Sequence, residues 1–226
     1  MRRSLAQNSL TDAFKRGSTL MAVNERELRM QMCEVCKELW DRGLIGGAEG
    51  NVSCRLDEKR ILTTPAGSIK GKLNPSDLAL ITPEGECLGE QCPSSEIAMH
   101  LRIYQLSGAM AVVHAHPPAA TAFALAGRNI PNHTLPEADI VLGDVALVPF
   151  AIPGTAAMGD ALAPFLEKST VFLLGSHGVA TIGADLTGAH IKMETVERVA
   201  KTLLLAGLLG GPQPLPEEGI RWLSDF

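Results

Sequence analysis

The chain has 226 residues, 46% of them hydrophobic and interspersed with glycine, proline and charge, which suits one domain able to bury a sizeable core. No run approaches the ~20 apolar residues of a membrane span, and a net charge of −5 without a Lys/Arg cluster argues against a nucleic-acid backbone as partner. Five cysteines (Cys33, Cys36, Cys54, Cys87, Cys92), odd in number and irregularly spaced, speak against a disulfide framework and for a reducing, cytoplasmic setting.

Residues 1–20 hold Arg2, Arg3, Lys15 and Arg16 with several Ser and Thr and no apolar periodicity, so they read as a flexible N-terminal extension rather than a targeting segment. The remainder, 21–226, reads as a single domain. Asn24 and Glu27 have capping-box spacing, and Leu28, Met32, Val35, Cys36, Leu39 and Trp40 then repeat at helical spacing up to Gly43. Cys33 and Cys36 fall inside that pattern, with no second pair at zinc-finger spacing, and read as core. The glycine-rich turn 46–51 leads into an apolar strand over 52–56, which a polar turn joins to a second over 60–63; a hairpin follows. A loop at 64–68 precedes a third strand over 78–82.

Ser94 and Ser95 come just before a helical pattern through Ile97, Leu101 and Tyr104, which places them at the cap and first turn with Glu96 beside them. The apolar run 109–113 then ends in His114-Ala115-His116. Side chains two apart on a strand share a face, so the two imidazoles can serve one metal ion; read alone, the pair is equally one packed and one solvated histidine. Pro117-Pro118 opens a short alanine-rich helix ending at Gly127. A strand is expected over 140–150, a helix over 154–168 and a buried strand over 170–174 that delivers His177 in a glycine-flanked turn. The longest helix, 186–207, is expected to bury Ile191, Met193, Val196, Val199, Leu203 and Leu204. His100 and His190 read as packing histidines. The expected architecture is a three-layer α/β/α sandwich around a mostly antiparallel sheet.

Three histidines at strand ends with an acid at a helix start make a donor set for a first-row metal, and an open position there would permit catalysis. A cupin barrel also uses His-x-His, but its usual glutamate a few residues later is replaced here by Pro117-Pro118-Ala119-Ala120-Thr121.

Gly50-Asn51-Val52-Ser53, Thr64-Pro65-Ala66-Gly67, Pro93-Ser94-Ser95-Glu96, His114-Ala115-His116 and Ser176-His177-Gly178, in this order and spacing, resemble the class II aldolase/adducin family. The resemblance covers about residues 25–208, with the fuculose phosphate aldolases nearest in motif. It implies that His114, His116, His177 and Glu96 hold one Zn2+, or another divalent ion, per subunit. It implies that Glu96 is also the catalytic base, and that Asn51, Gly67, Ser94 and Ser95 hold the phosphate of a small sugar substrate. A helix start with hydroxyls and glycine turns suits a phosphate on physical grounds as well. The activity implied is reversible cleavage of a ketose 1-phosphate to dihydroxyacetone phosphate and an aldehyde through a zinc-bound enediolate, in a homotetramer with sites between subunits. Family epimerases usually carry aspartate at the position of Glu96.

Two departures stand out. Ala66 replaces a threonine of the fuculose phosphate aldolases, and their tyrosine acid has no match, since the only tyrosine is Tyr104. The segment 132–139 stands in its place, offering His133, Glu137 and Asp139 as proton donors, with Glu137 ranked first; an acid could also arrive from a neighbouring subunit through this segment or the tail around Trp222. Epimerisation, dehydration or decarboxylation of a sugar phosphate are the alternatives on this scaffold. A non-catalytic adducin-like module is a further one, disfavoured because all three histidines and the glutamate are present.

Overall fold

The computed structural model describes residues 24–223. The extension expected over residues 1–20 lies outside them. Helix α1 spans Glu25–Asp41; the Asn24 side chain accepts a hydrogen bond from Arg26 N, and Glu25 and Glu27 in the first turn suit the positive helix end. Leu28, Met32, Val35, Cys36 and Leu39 form its buried stripe, and Gly43, at φ 68°, ends it.

Strands β1 (Asn51–Arg55) and β2 (Ile61–Thr63) form the expected antiparallel hairpin, and β3 (Ala79–Ile81) pairs antiparallel with β2. Helix α2 (Ile97–Leu106) precedes β4 (Ala111–Ala115), which pairs antiparallel with β1, Asn51 opposite His114. Next come α3 (Pro118–Leu125), β5 (Val145–Val148), α4 (Ala156–Leu162) and β6 (Val171–Leu174). Strand β7 (Gly178–Gly183), the long helix α5 (Leu186–Leu208) and the short helix α6 (Glu217–Leu223) complete the order. The sheet has seven strands in the order β3-β2-β1-β4-β7-β6-β5, every pairing antiparallel except β5 with β6.

Alternation along the strands divides the core in two. Val52, Cys54, Ala111, Val113, Ala115, Leu173 and Val179 pack with residues of α1, α3 and α5; Ile61, Val112, Phe172, Leu174 and Ala180 pack with residues of α2 and α4. This is the three-layer α/β/α sandwich with a mostly antiparallel sheet. Two apart from Val112, His114 belongs to the α2 side, as does Ser53, which bonds His100 and Tyr104 of α2.

Several expectations need correcting. Residues 140–142 are not strand: Ala138–Leu142 form a π-helical turn closed by Gly143 at φ 61°, and the strand is only Val145–Val148. The apolar, β-branched run 140–142 reads as a strand locally, but Ala138 and Leu142 are buried while Ile140 is 47% exposed, a helical rather than a period-two pattern. Residues 154–168 hold α4 and then a 3-10 turn over Ala163–Phe165, where Pro164 withholds an amide. Strand β7 went unexpected, because glycines at both its ends resemble turn punctuation. On α5, Met193, Val196, Val199 and Leu203 are buried, but Ile191 (48%) and Leu204 (45%) face outward. The cap of α2 is Glu96, so Ser94 and Ser95 lie just before the helix rather than in its first turn.

Among the described residues no helix is long and apolar enough to cross a membrane.

Candidate metal and active site

Four segments meet at one end of the sheet: the start of β1, the end of β4, the β6–β7 turn and the start of α2. His114, the penultimate residue of β4, is fully buried, its Nδ1 2.9 Å from the Val179 carbonyl oxygen. A carbonyl can only accept, so Nδ1 carries the proton and Nε2 keeps its lone pair for a ligand. His116 lies just past the strand, tied by its own N–H donating to Leu44 O at 3.0 Å. His177 sits in the β6–β7 turn, its N–H donating to Leu174 O, after Ser176 at φ 53°, a left-handed conformation that L side chains rarely adopt.

The three imidazoles form a nearly equilateral triangle with ring centroids 4.8, 4.9 and 5.0 Å apart. The Nε2 atoms of His114 and His116 are 3.2 Å apart. Two nitrogens bound to one tetrahedral zinc at about 2.0–2.1 Å stand roughly 3.3 Å apart, so the donor set fits such an ion without backbone movement. Gly178 makes room for it: a Cβ there would lie 2.6 Å from Ala115 O and 2.7 Å from His116 Cδ2.

Glu96, the residue that opens α2, turns its carboxylate into this triangle. Its Oε1 is 2.8 Å from His177 Nε2 and its Oε2 is 3.1 Å from His114 Nε2. Asn51 Nδ2 donates to the same Oε2 at 2.7 Å, and the buried Asn51 Oδ1 is left without a partner. Burial raises the Glu96 pKa, but the contacts with His114 and His177 outweigh it and hold the carboxyl well below the usual carboxylate range. Glu96 is therefore ionised and able to accept a proton. His116 is pushed down to about 4 by burial and by its neighbours His114 and His177, so it is neutral at pH 7, the form that ligates metals.

The residues expected to hold phosphate flank this point. Pro65 bridges to Pro93, Ala66 N donates to Cys92 O and Ser94 N donates to Thr64 O, so the Gly67 loop and the serine segment run side by side. Gly67, at φ 65°, is exposed with open space where a Cβ would project. Ser94 is buried and its Oγ accepts from Glu96 N at 3.3 Å, whereas Ser95 is exposed. The start of α2 follows directly, Ile97 N donating to Ser94 O at 3.1 Å.

The other candidates are placed differently. Glu137 is exposed at the cap of the π-helical turn. Asp139 accepts from His133 N and lies 3.1 Å from the His133 ring, closing that loop on itself. Tyr104 is buried, hydrogen-bonded to Ser53 and raised by burial far above its ordinary range, which suits packing and not acid catalysis. His100 is packed beside it with its Nδ1 2.7 Å from Ser53 Oγ.

Sequence reasoning missed Lys70. It is buried, donates to Ala48 O at 2.8 Å beneath the turn that carries Asn51, and its pKa is lowered by burial. In sequence it is one lysine in a polar loop, and nothing local signals its burial. Glu197 on α5 was missed likewise; it accepts from Ala119 N and Ala120 N and so caps α3 immediately after His116.

Three imidazoles and a carboxylate at the strand ends of an α/β/α sandwich define a candidate divalent-metal site of the class II aldolase type. The profile of the Class II Aldolase and Adducin N-terminal domain matches residues 30–204, and the chain belongs to this family. It is similar to the L-fuculose phosphate aldolase of Methanococcus maripaludis, 36% identical over 169 residues that cover 74% of this chain and 91% of the relative. It is also similar to the 3-oxo-tetronate 4-phosphate decarboxylase of Escherichia coli O6:H1, 34% identical over 188 residues covering 81% and 89%. The crystal structure of YgbL from Klebsiella pneumoniae superimposes with a TM-score of 0.82 at 30% identity, covering 89% of this chain and 99% of that one.

Proposed function

We propose that this protein is a metal-dependent carbon–carbon lyase that cleaves a ketose 1-phosphate reversibly to dihydroxyacetone phosphate and an aldehyde. The observation that carries the reading is Glu96, an ionised carboxylate 2.8 Å and 3.1 Å from two of three convergent imidazoles. His114, His116 and His177 would hold the ion, with Glu96 able to join them, and zinc suits the imidazoles best. When bound, the ion supplies a Lewis acid that stabilises negative charge on the substrate's carbonyl and adjacent oxygens.

The chain's own residues do the rest. Asn51, Gly67, Ser94 and Ser95 hold the phosphate through side-chain donors and backbone amides. That anchors the three-carbon end so that the carbon beside the carbonyl faces Glu96. Glu96 exchanges the proton at that carbon, and Asn51 Nδ2, 2.7 Å from Oε2, fixes which carboxylate oxygen is free to do so. Glu137 remains the proposed group at the hydroxyl that becomes the aldehyde, taking its proton in cleavage and returning it to the aldehyde oxygen in the reverse direction; a neighbouring copy would supply it, in keeping with a homotetramer whose sites lie between subunits.

A second reading is favoured by one observation: among the described residues, the carboxylates within 4.0 Å of the three imidazoles are those of Glu96 and of Glu49, the latter 3.9 Å from His116. Decarboxylation of a 3-oxo acid phosphate breaks the equivalent bond and releases CO2, which needs no proton donor. The same Glu96 would then take a proton from water and pass it to the three-carbon product.

The test is a two-arm assay of the zinc-loaded protein. One arm follows dihydroxyacetone phosphate released from a panel of ketose 1-phosphates, the other CO2 released from 3-oxo-tetronate 4-phosphate. Aldehyde and dihydroxyacetone phosphate in equal amounts support aldol cleavage. CO2 release alone moves the function to the second reading, and turnover in neither arm sinks both.

A further inference from the structure

A second group of metal-ligating side chains joins α1 to α5, away from the catalytic triangle. Glu38 of α1 and His190 and Glu194 of α5 each bring a donor atom within 4.8 Å of the others. His190 and Glu194 are four apart on one helix, so both project from the same face one turn apart. His190 Nδ1 lies 3.4 Å from Glu38 Oε2, and His190 Nε2 lies 3.0 Å from Glu194 Oε1.

The bonding within this group is incomplete. His190 is only 7% exposed, yet its Nε2 makes no hydrogen bond: the nearest acceptor, Glu194 Oε1 at 3.0 Å, is paired with Arg42 and lies off the line to the ring nitrogen. Buried polar atoms left this way cost free energy unless something else satisfies them. Charge points the same way: two carboxylates meet one fixed cation, Arg42, whose Nε is 2.8 Å from Glu194 Oε1.

We infer that Glu38, His190 and Glu194 bind a second divalent first-row ion of the zinc type, which staples α1 to α5. One imidazole and two carboxylates are ligands such ions accept, and the three donors need only side-chain rotation to close on a centre about 2.0–2.2 Å from each. Glu38, whose side chain is 43% exposed, has room to make that rotation. The same helix pair carries the Gln31–Thr187 hydrogen bond, so the ion would reinforce an existing contact. This site is independent of the proposed reaction.

The test is metal stoichiometry of the full-length protein, stripped with chelator, dialysed against Zn2+ and analysed for bound metal. Wild type should hold a second equivalent per subunit. Glu38→Gln and His190→Gln should each lose one equivalent and keep lyase activity, whereas His114→Ala should lose the other and keep this one. Glu38→Gln removes only a half-exposed carboxyl oxygen, so it carries the test even if His190→Gln fails to fold. A single equivalent in wild type that disappears in His114→Ala, or two equivalents retained in Glu38→Gln, would overturn the site.

Discussion

Glu96 and His177 are 81 residues apart in sequence and meet at 2.8 Å, joining the first residue of a helix cap to the turn between β6 and β7. The contact draws together the two halves of the sheet end, since Glu96 also reaches His114 of β4 through its other oxygen. An acid and its metal ligands are thus mutually positioned. Replacing Glu96 by Gln preserves the shape and removes the base. Turnover should fall by about 10²–10⁴-fold while bound zinc persists; unchanged turnover would remove the proposed role.

His114→Ala and His177→Ala each take one nitrogen from the triangle. Each variant should fold and lose its catalytic zinc on dialysis, read as metal content against wild type. Full retention of that equivalent in both would break the ligand assignment.

Gly178→Ala tests the packing that brings the histidines together. The new Cβ would meet Ala115 O at 2.6 Å and His116 Cδ2 at 2.7 Å, one contact with backbone and the other with a ligand ring. Overpacking of this kind costs about 1–3 kcal/mol. Thermal unfolding should show the loss and zinc affinity should fall with it. A variant as stable and as metal-rich as wild type would show that the ring positions are not held from this side.

His100 provides a pH signature. It is fully buried against Ser53, and burial first, then the neighbouring His114, push its pKa down to about 3 from 6.5. The unfolded chain binds the proton at higher pH than the folded one, so this group costs nothing above pH 6.5. Below that, stability falls as pH drops towards 3, by up to roughly 1.4 kcal/mol per pH unit. Urea unfolding of metal-free protein between pH 7 and 4 should show a shallower decline in His100→Gln than in wild type, and parallel curves would contradict the assignment.

Much of this site could be read from sequence because its chemistry is carried by local patterns. His114 and His116 share a face by the period of a strand, and His177 stands at the end of an apolar run flanked by glycines. What escaped was set by tertiary context. Strand β7 begins and ends in glycine, at Gly178 because the ligand rings press on it and at Gly183 because Asp185 and Ala189 do. Ile191 and Leu204 look like core residues of α5 yet face outward, because helical periodicity does not say where a buried stripe stops. Lys70 and Glu197 look like surface charges until the backbone groups they satisfy are brought to them.

The most direct test of the account is exchange of the carbon-bound proton of dihydroxyacetone phosphate in deuterated water, followed by NMR with zinc-loaded protein and no second substrate. Aldol cleavage and decarboxylation both require Glu96 to move a proton at that carbon, so the measurement holds for either. The account predicts stereospecific uptake of one deuterium by wild type and loss of that uptake in Glu96→Gln with zinc still bound. Absence of exchange in metal-replete wild type, or undiminished exchange in Glu96→Gln, would contradict it.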